Sequence, residues 1–170
     1  MQIRTATRAD AEALLEIHNH FVETSTVIFD IIARTFEEQL EWIDEHSGGH
    51  PATVAVDDDG TVLGYGSLSR YRKRPAYAMT VENSVYVRPE AQGRGVGRAL
   101  LVDLIDRAHA HGFHSLIARI AGDNQPSVAL HSSLGFEVVG TEREVGRKFG
   151  QWLDVIIMQR LLTNEPPRRD

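Results

Sequence analysis

The stretch that most constrains the fold runs from Ser84 to Leu101, because its hydrophobic period changes in the middle. Val85 and Val87 alternate with their neighbours as a half-buried strand does, Pro89 stops the ladder, and Val96, Leu100, Leu104 and Ala108 recur at helical spacing. Between the two elements stand Gly93, Gly95 and Gly97, at every second position. Glycines so placed let the backbone bend with its N–H groups turned inward, beside a helix N-terminus and its partial positive charge. That combination suits phosphate, and Arg94 and Arg98 add formal charge that favours a pyrophosphate over a carboxylate. Taken alone, the same turn also suits a plain strand-to-helix connection that merely needs glycine. Two phosphate loops are excluded by spacing: a Walker loop requires Gly-Lys followed by Ser or Thr, where this chain has Gly97-Arg98-Ala99, and a dinucleotide fingerprint spaces its glycines G-x-G-x-x-G near the start of a domain.

At 170 residues and 42% hydrophobic content the chain can bury one substantial core and is short for two. A single domain is expected over residues 1–162, followed by a polar tail, 163–170, expected to be disordered. The chain has no cysteine, which excludes disulfides, thiolate metal sites and a cysteine nucleophile and agrees with a reducing cytoplasm. No run approaches the roughly 18 apolar residues of a membrane span, and Met1-Gln2-Ile3-Arg4 enters a strand-like pattern directly, so a cytoplasmic protein is expected. A formal net charge of −6 argues against a general nucleic-acid binder. Basic residues nonetheless crowd at Arg70, Arg72, Lys73 and Arg74. The histidine pairs His18/His20 and His109/His111 are two apart on expected helices and diverge, and no carboxylate–histidine set has ligand spacing, so no metal is expected.

Taken in order, Ile3-Arg4-Thr5 reads as a first strand, and Thr7 with Asp10 as a capping box opening a helix through Ala13, Leu14, Ile17 and Phe21. Residues 23–30 have no helical period and place hydroxyls beside Phe29, as a pocket loop or an ordinary connector would. Thr35 and Glu38 form a second capping box, and the helix it opens ends near Ser47-Gly48-Gly49. Residues 52–56 and 62–68 read as strands joined by an Asp-Gly turn, and Gly64 and Gly66 leave one face of the second bare for a close approach. Residues 77–87 read as a strand of about eleven residues, beyond the usual five or six, so a bulge or a splay is expected within it. After the opening feature come a continuous apolar strand at 115–120, a helix capped by Asn124 or Asp123 with Pro126 in its first turn, a strand from Phe136 and a last strand at 152–158. The result is a mixed α/β sheet with helices on both faces.

These residues resemble a known family. Val85-Tyr86-Val87 followed by Gln92-Gly93-Arg94-Gly95-Val96-Gly97 is similar to the acetyl-coenzyme A motif of the GNAT superfamily of N-acetyltransferases, Q/R-x-x-G-x-G/A, and residues 124–136 resemble that family's next helix. Within the superfamily, the segments 25–30, 80–87, Leu130-His131 and 143–154 resemble the phosphinothricin and methionine sulfoximine acetyltransferases. The resemblance spans residues 3–161. It implies the GNAT fold, a mixed and mostly antiparallel sheet of six to seven strands, acetyl-CoA as co-substrate, no metal, and a homodimer that acetylates the α-amino group of a small amino-acid analogue.

Acyl transfer from a thioester to an amine needs a cradle for the coenzyme, a base for the ammonium, donors for the oxyanion and a proton for the leaving thiolate. Backbone N–H groups from Gly93 to Arg98 would hold the pyrophosphate, with Gln92 in the same motif, while the strand edge from Val85 to Val87 would pair with the pantetheine arm and the Val87 amide would face the oxyanion. Glu82 is the candidate base, the alternative being a carboxylate that anchors substrate or pairs with an arginine. His131 stands where many GNAT members carry a tyrosine; it is either the acid or a hydrogen-bonding wall. Asn124 and Ser133 are assigned to coenzyme contacts by resemblance alone. Arg72 and Arg74 with Tyr77 would clamp the acceptor's oxygens, with Phe29 as an apolar wall; the alternative is a solvated loop that keeps the sheet edge soluble. The Lys148-Phe149-Gly150 loop would complete either the pocket or the dimer contact. Two other functions fit the same fold: a protein or polyamine acetyltransferase, whose acceptor groove would be acidic, and a non-catalytic acyl-CoA sensor.

Overall fold

Two glycines decide how the middle of the chain packs. Strand β3 (Val62–Arg70) lies antiparallel to β4 (Thr80–Val87) in unbroken register from Gly64↔Val87 to Arg70↔Val81. On one face of β3, Gly64 and Gly66 have no side chains, and helix α3 (Val96–Ala110) settles into the space. A Cβ on Gly64 would stand 2.6 Å from the Tyr86 carbonyl oxygen, and one on Gly66 2.9 Å from Leu104 Cδ1. The close approach expected of these glycines is made by α3 and the neighbouring strand. It fully buries Leu100, Leu101 and Leu104. At about 2 kcal/mol for each buried leucine, that interface outweighs the roughly 1 kcal/mol that a glycine costs in an element interior.

The computed structural model describes residues 1–122 and 124–162. Its elements are β1 (Gln2–Thr5), α1 (Ala11–Thr24), α2 (Phe36–Glu45), β2 (Ala52–Val56), β3, β4, α3, β5 (Ser115–Ala121), α4 (Gln125–Ser133), β6 (Glu137–Lys148) and β7 (Gln151–Leu161). The order is the expected one. The expected tail and a cap by Asp123 lie outside the described residues. The seven strands form one sheet in the order β1-β2-β3-β4-β5-β7-β6, antiparallel except for β4–β5. Helices α1 and α2 cover one face through Leu14, Ile17 and Ile43 on Val54 and Tyr65. Helix α3 covers the other through Leu101, Leu104 and Ala108 on Leu68, Val81 and Leu116, with α4 beside it. Among the described residues no helix is long and apolar enough to cross a membrane.

Both capping pairs form. The Thr7 N–H donates to Asp10 at 2.8 Å, ahead of a short 3-10 turn that leads into α1, and Thr35 and Glu38 bond reciprocally at the start of α2. The strand expected over 77–87 is shorter at its start, because Pro75 at the first position of a 3-10 turn draws Tyr77 and Ala78 into N–H bonds to Arg74 and Pro75. The irregularity expected in it is a splay. Strand β4 pairs with β5 from Thr80↔Ser115 to Asn83↔Ala118 and no further, so the two parallel strands part beyond Asn83.

Candidate active site

The gap between the parting strands opens into a cleft of about 560 Å³, lined by Asn83 to Val87 on one side, Ala118 to Ala121 on another, and the glycine turn and α4 at its end. Backbone polarity in the gap follows from alternation along β4. The Arg88 N–H donates to Leu63 O at 2.9 Å, toward β3, so the N–H groups of Tyr86 and Ser84 face β3 as well, and those of Val85 and Val87 face the gap. The Val87 carbonyl turns the same way and accepts a 3.3 Å bond from Gln92 Nε2. Gln92 thereby ties the turn to the strand edge.

The turn is built for backbone donors. Gly93 and Gly95 have φ of +73° and +82°, a region that side chains rarely tolerate, and Gly95 is the N-cap of α3 with no side chain over the first-turn N–H groups. Gly97 differs from these two, with no positive φ. A Cβ there would stand 3.4 Å from Leu130 and 3.6 Å from Val87, ordinary contact distances, so the packing of α3 on α4 and β4 does not itself require glycine. Val96 is buried beneath the turn. Arg98 extends along the cleft to Ser133 Oγ at 2.9 Å, and Ser133 in turn donates to Leu130 O. Arg94 turns away to Asp57 at 3.4 Å, beside the β2–β3 hairpin. Asn124 lines the cleft and caps α4 by accepting from the Ser127 N–H at 3.2 Å.

His131 is buried where β4 and β5 part, with both ring nitrogens engaged. Ser127 O lies 2.8 Å from Nδ1 and Asn83 Oδ1 3.0 Å from Nε2; both oxygens accept, so the neutral ring donates to one of them at a time. The Asn83 amide is itself held, its Nδ2 donating to Ile117 O at 3.1 Å. Burial lowers the pKa of His131 and the Ser127 carbonyl opposes the shift. The ring thus joins α4, β4 and β5 at the fork.

Glu82 lies outside the residues lining the cleft, on the opposite face of β4 from Asn83, as the strand's alternation requires. Burial raises its pKa, Arg119 and Arg72 oppose that, and Glu142 adds to it. Arg119 is on β5, two residues beyond Ile117, the register partner of Glu82, and so on the same face as Glu82, and it is held by Glu142 of β6 at 2.5 Å. Of the basic loop, Arg72 reaches this group through its charge while its guanidinium stacks over Tyr71, 5.0 Å from the ring centroid. Tyr77 meets Tyr71 edge-on at 5.6 Å. The Arg74 carbonyl accepts a backbone bond from the Tyr77 N–H at the turn, and the Arg74 side chain is exposed. The Phe29 ring rests on Gly146 of β6, while Val27, two residues earlier, lines the cleft.

Arg119 and Glu142 are not evident from sequence patterning. The one available signal is that Arg119 is the only charge inside an otherwise apolar strand, and a charge in mid-sheet must find a partner. Its partner is on a strand far along the chain.

A model of the acetyltransferase (GNAT) domain family matches residues 3–157. A phosphinothricin N-acetyltransferase of Streptomyces coelicolor is 41% identical over 95% of this chain and 96% of its own length. An L-methionine sulfoximine/L-methionine sulfone acetyltransferase of Pseudomonas paraeruginosa is 41% identical over 98% of this chain and 96% of its own. Among solved structures, a GNAT superfamily phosphinothricin acetyltransferase from Sinorhizobium meliloti in complex with acetyl-CoA superposes with a TM-score of 0.88 at 39% identity, covering 94% of this chain and 87% of that one. The strand order, the splayed β4–β5 pair and the glycine turn at the N-terminus of α3 therefore stand in a chain that belongs to the GNAT acetyltransferase family.

Proposed function

We propose that this chain is an acetyl-CoA-dependent N-acetyltransferase that acetylates the α-amino group of a small amino-acid analogue of the phosphinothricin, methionine sulfoximine or methionine sulfone type. The observation that carries the reading is the fork between β4 and β5. One end of its open strand edge meets a turn of unobstructed backbone donors and Arg98; at the other, a half-buried carboxylate stands among arginines. Two relatives similar to this chain over most of its length are named for acceptors of that type.

The residues fit acetyl-CoA. The N–H groups from Gly93 to Arg98, with Arg98 itself, would hold the pyrophosphate, Asn124 and Ser133 would flank the coenzyme, and the polar edge from Val85 to Val87 would pair with its amide-rich arm. Bound there, acetyl-CoA supplies an activated acetyl thioester. The Val87 N–H, which faces the gap, would stabilise negative charge on the carbonyl oxygen, and Glu82 would take the proton of the acceptor ammonium, directly or through water. A carboxylate whose pKa burial has raised suits that task near neutrality. Arg72 is the basic-loop residue best placed to meet an acceptor carboxylate, with Arg74 and Tyr77 beside it and Phe29 as the apolar wall. His131, buried with Ser127 O and Asn83 Oδ1 against its two nitrogens and its charged form disfavoured by burial, suits a residue that positions the fork better than one that delivers a proton.

We also infer one domain over 1–162 acting in the cytoplasm as a homodimer. Supporting the dimer, β6 is an edge strand that exposes Val138, Val139 and Val145, and its partner β7 exposes Trp152. Release of coenzyme A thiol tests the reading, with methionine sulfoximine, methionine sulfone, phosphinothricin, a polyamine and an alanine-terminated peptide as acceptors. Turnover with the first three is expected. Turnover confined to the polyamine or the peptide would overturn the acceptor class, and acetyl-CoA binding without turnover over a broad amine panel would make the protein a sensor.

A further inference from the structure

The stretch that carries Phe29, residues 25–35, has no ladder or helix of its own, yet it is tied down at defined points. At one end Asn19 of α1 exchanges two 2.8 Å bonds with the backbone of Arg34. Nearer the middle, two contacts come from a strand more than a hundred residues away. Lys148, the last residue of β6, is 5% exposed and donates from Nζ to Ile28 O at 2.8 Å. The ammonium also stands 5.1 Å from the centroid of the Phe149 ring, and desolvation lowers its pKa while Asp30 opposes the shift, so a charge is drawn out of water here to hold the Ile28 carbonyl in place. Gly146, two residues earlier, lies under Phe29: a Cβ there would stand 2.8 Å from Cδ2 and 3.0 Å from Cζ of the ring. The ring occupies the space that a side chain at 146 would take.

The template for these two contacts is rigid. Between Glu142↔Val155 and Gly146↔Leu153, strand β6 carries extra residues relative to β7, with Glu144 at a φ of +50° and its N–H held by Asp154 at 2.8 Å. Such a bulge bends a strand and re-aims the residues beyond it. Immediately after Lys148, Phe149 and Gly150 both have positive φ, the geometry of a tight two-residue hairpin that closes Lys148 on Gln151. Gly146 and Lys148 are thus presented from between a bulge and a tight turn.

We propose that Gly146 and Lys148 are specificity-determining positions, which set through Phe29 how much room the acceptor has. The inference rests on the reading of Phe29 as a wall of the acceptor pocket. The bulged hairpin of β6 thereby acts on a loop near the start of the chain, and the acceptor range depends on residues that do not touch the acceptor.

The test is steady-state kinetics on the full chain with methionine sulfone and phosphinothricin as acceptors, comparing Phe29→Ala, Lys148→Met, Lys148→Arg and Gly146→Ala. Lys148→Met is expected to raise the acceptor KM about tenfold while the acetyl-CoA KM stays within about twofold, and Lys148→Arg, which keeps a donor, to recover much of the loss. Gly146→Ala, which displaces the ring without removing the ammonium, is expected to change the ratio of kcat/KM between the two acceptors by about fivefold or more. If Phe29→Ala leaves acceptor kinetics unchanged, the pocket reading itself fails. If Phe29→Ala changes them while Lys148→Met and Gly146→Ala do not, the pocket stands and the role of β6 is overturned. Should Lys148→Met fail to fold, Gly146→Ala and Lys148→Arg decide the matter alone.

Discussion

The phosphate end of the cleft comes mainly from one contiguous stretch, residues 84–101, whereas the proposed acceptor end is assembled from five: the loop at 25–35, the basic loop at 70–77, the Glu82 face of β4, the Arg119 face of β5, and the far half of β6. At the phosphate end the geometry is carried by backbone. Positive-φ glycines, an open strand edge and a helix N-terminus need few side chains, and α3 is locked to β3 by leucines packed over two bare glycines. At the acceptor end it is carried by side chains, such as Arg119 holding the Glu142 carboxylate and Lys148 holding the Ile28 backbone carbonyl. The contrast suits a division of labour in which one end binds an invariant coenzyme and the other can vary its acceptor by small changes far apart in the chain.

The strongest way to break the contrast is at Glu82. Glu82→Gln is expected to lower kcat by about 10²-fold or more at neutral pH and yet to leave the fold as stable or more so. The sign follows from the raised pKa of Glu82. Below its unfolded value of about 4.3 the carboxyl is protonated in both states and costs nothing; as pH rises through the folded value, ionising the buried group costs stability. The variant's advantage in urea unfolding is therefore expected near pH 7 and absent near pH 3.5, roughly a unit below the unfolded value. An advantage that does not change with pH would sink the burial argument.

Next in size is Gly64→Ala, which should act on the whole fold. Its Cβ would press on backbone rather than on a mobile side chain, and a loss of about 1–3 kcal/mol in urea unfolding is expected. No loss would mean that β3, β4 and α3 can separate, contrary to a rigid phosphate end.

Within the acceptor end, Glu142→Gln and Arg119→Gln should move the acid limb of kcat/KM in opposite directions, by about one pH unit or less at these partly exposed positions. Removing Glu142 frees Arg119 and removes a like charge, lowering the Glu82 pKa; removing Arg119 raises it. Shifts in the same direction would dissociate this pair from Glu82.

The smallest effect separates the two arginines of the glycine turn. Arg98→Ala is expected to raise the acetyl-CoA KM several-fold, roughly what losing one charge-assisted contact costs. Arg94, exposed and paired with Asp57, should change it less, with stability altered by about 1 kcal/mol or less. Equal effects would place Arg94 on the coenzyme after all.

The parts legible in the sequence are those whose cause is local. The period change at Pro89, the two capping boxes, the Asp-Gly hairpin and the glycines at 64 and 66 each announce themselves within a few residues. The first residues expected in β4 misread because Pro75 acts on a turn three residues ahead of the strand, and alternation does not show where a ladder begins. Arg94 and Arg98 look alike in the sequence, and only the hairpin beside one and α4 beside the other part them.

By itself the sequence determined the order of elements, the phosphate-type turn and the single carboxylate of β4, since strand and helix periods and glycine conformations are set by near neighbours. The tertiary structure alone decided that β4 and β5 part beyond Asn83, that His131 is spent on Asn83 and Ser127, that Glu82 stands among Arg119, Arg72 and Glu142, and that Gly146 and Lys148 hold the Phe29 loop. Apart from the one-turn contact of His131 with Ser127, those contacts join residues from about ten to more than a hundred positions apart. Their partners are chosen by register and by which face of the sheet each residue occupies, and neither is written in local pattern.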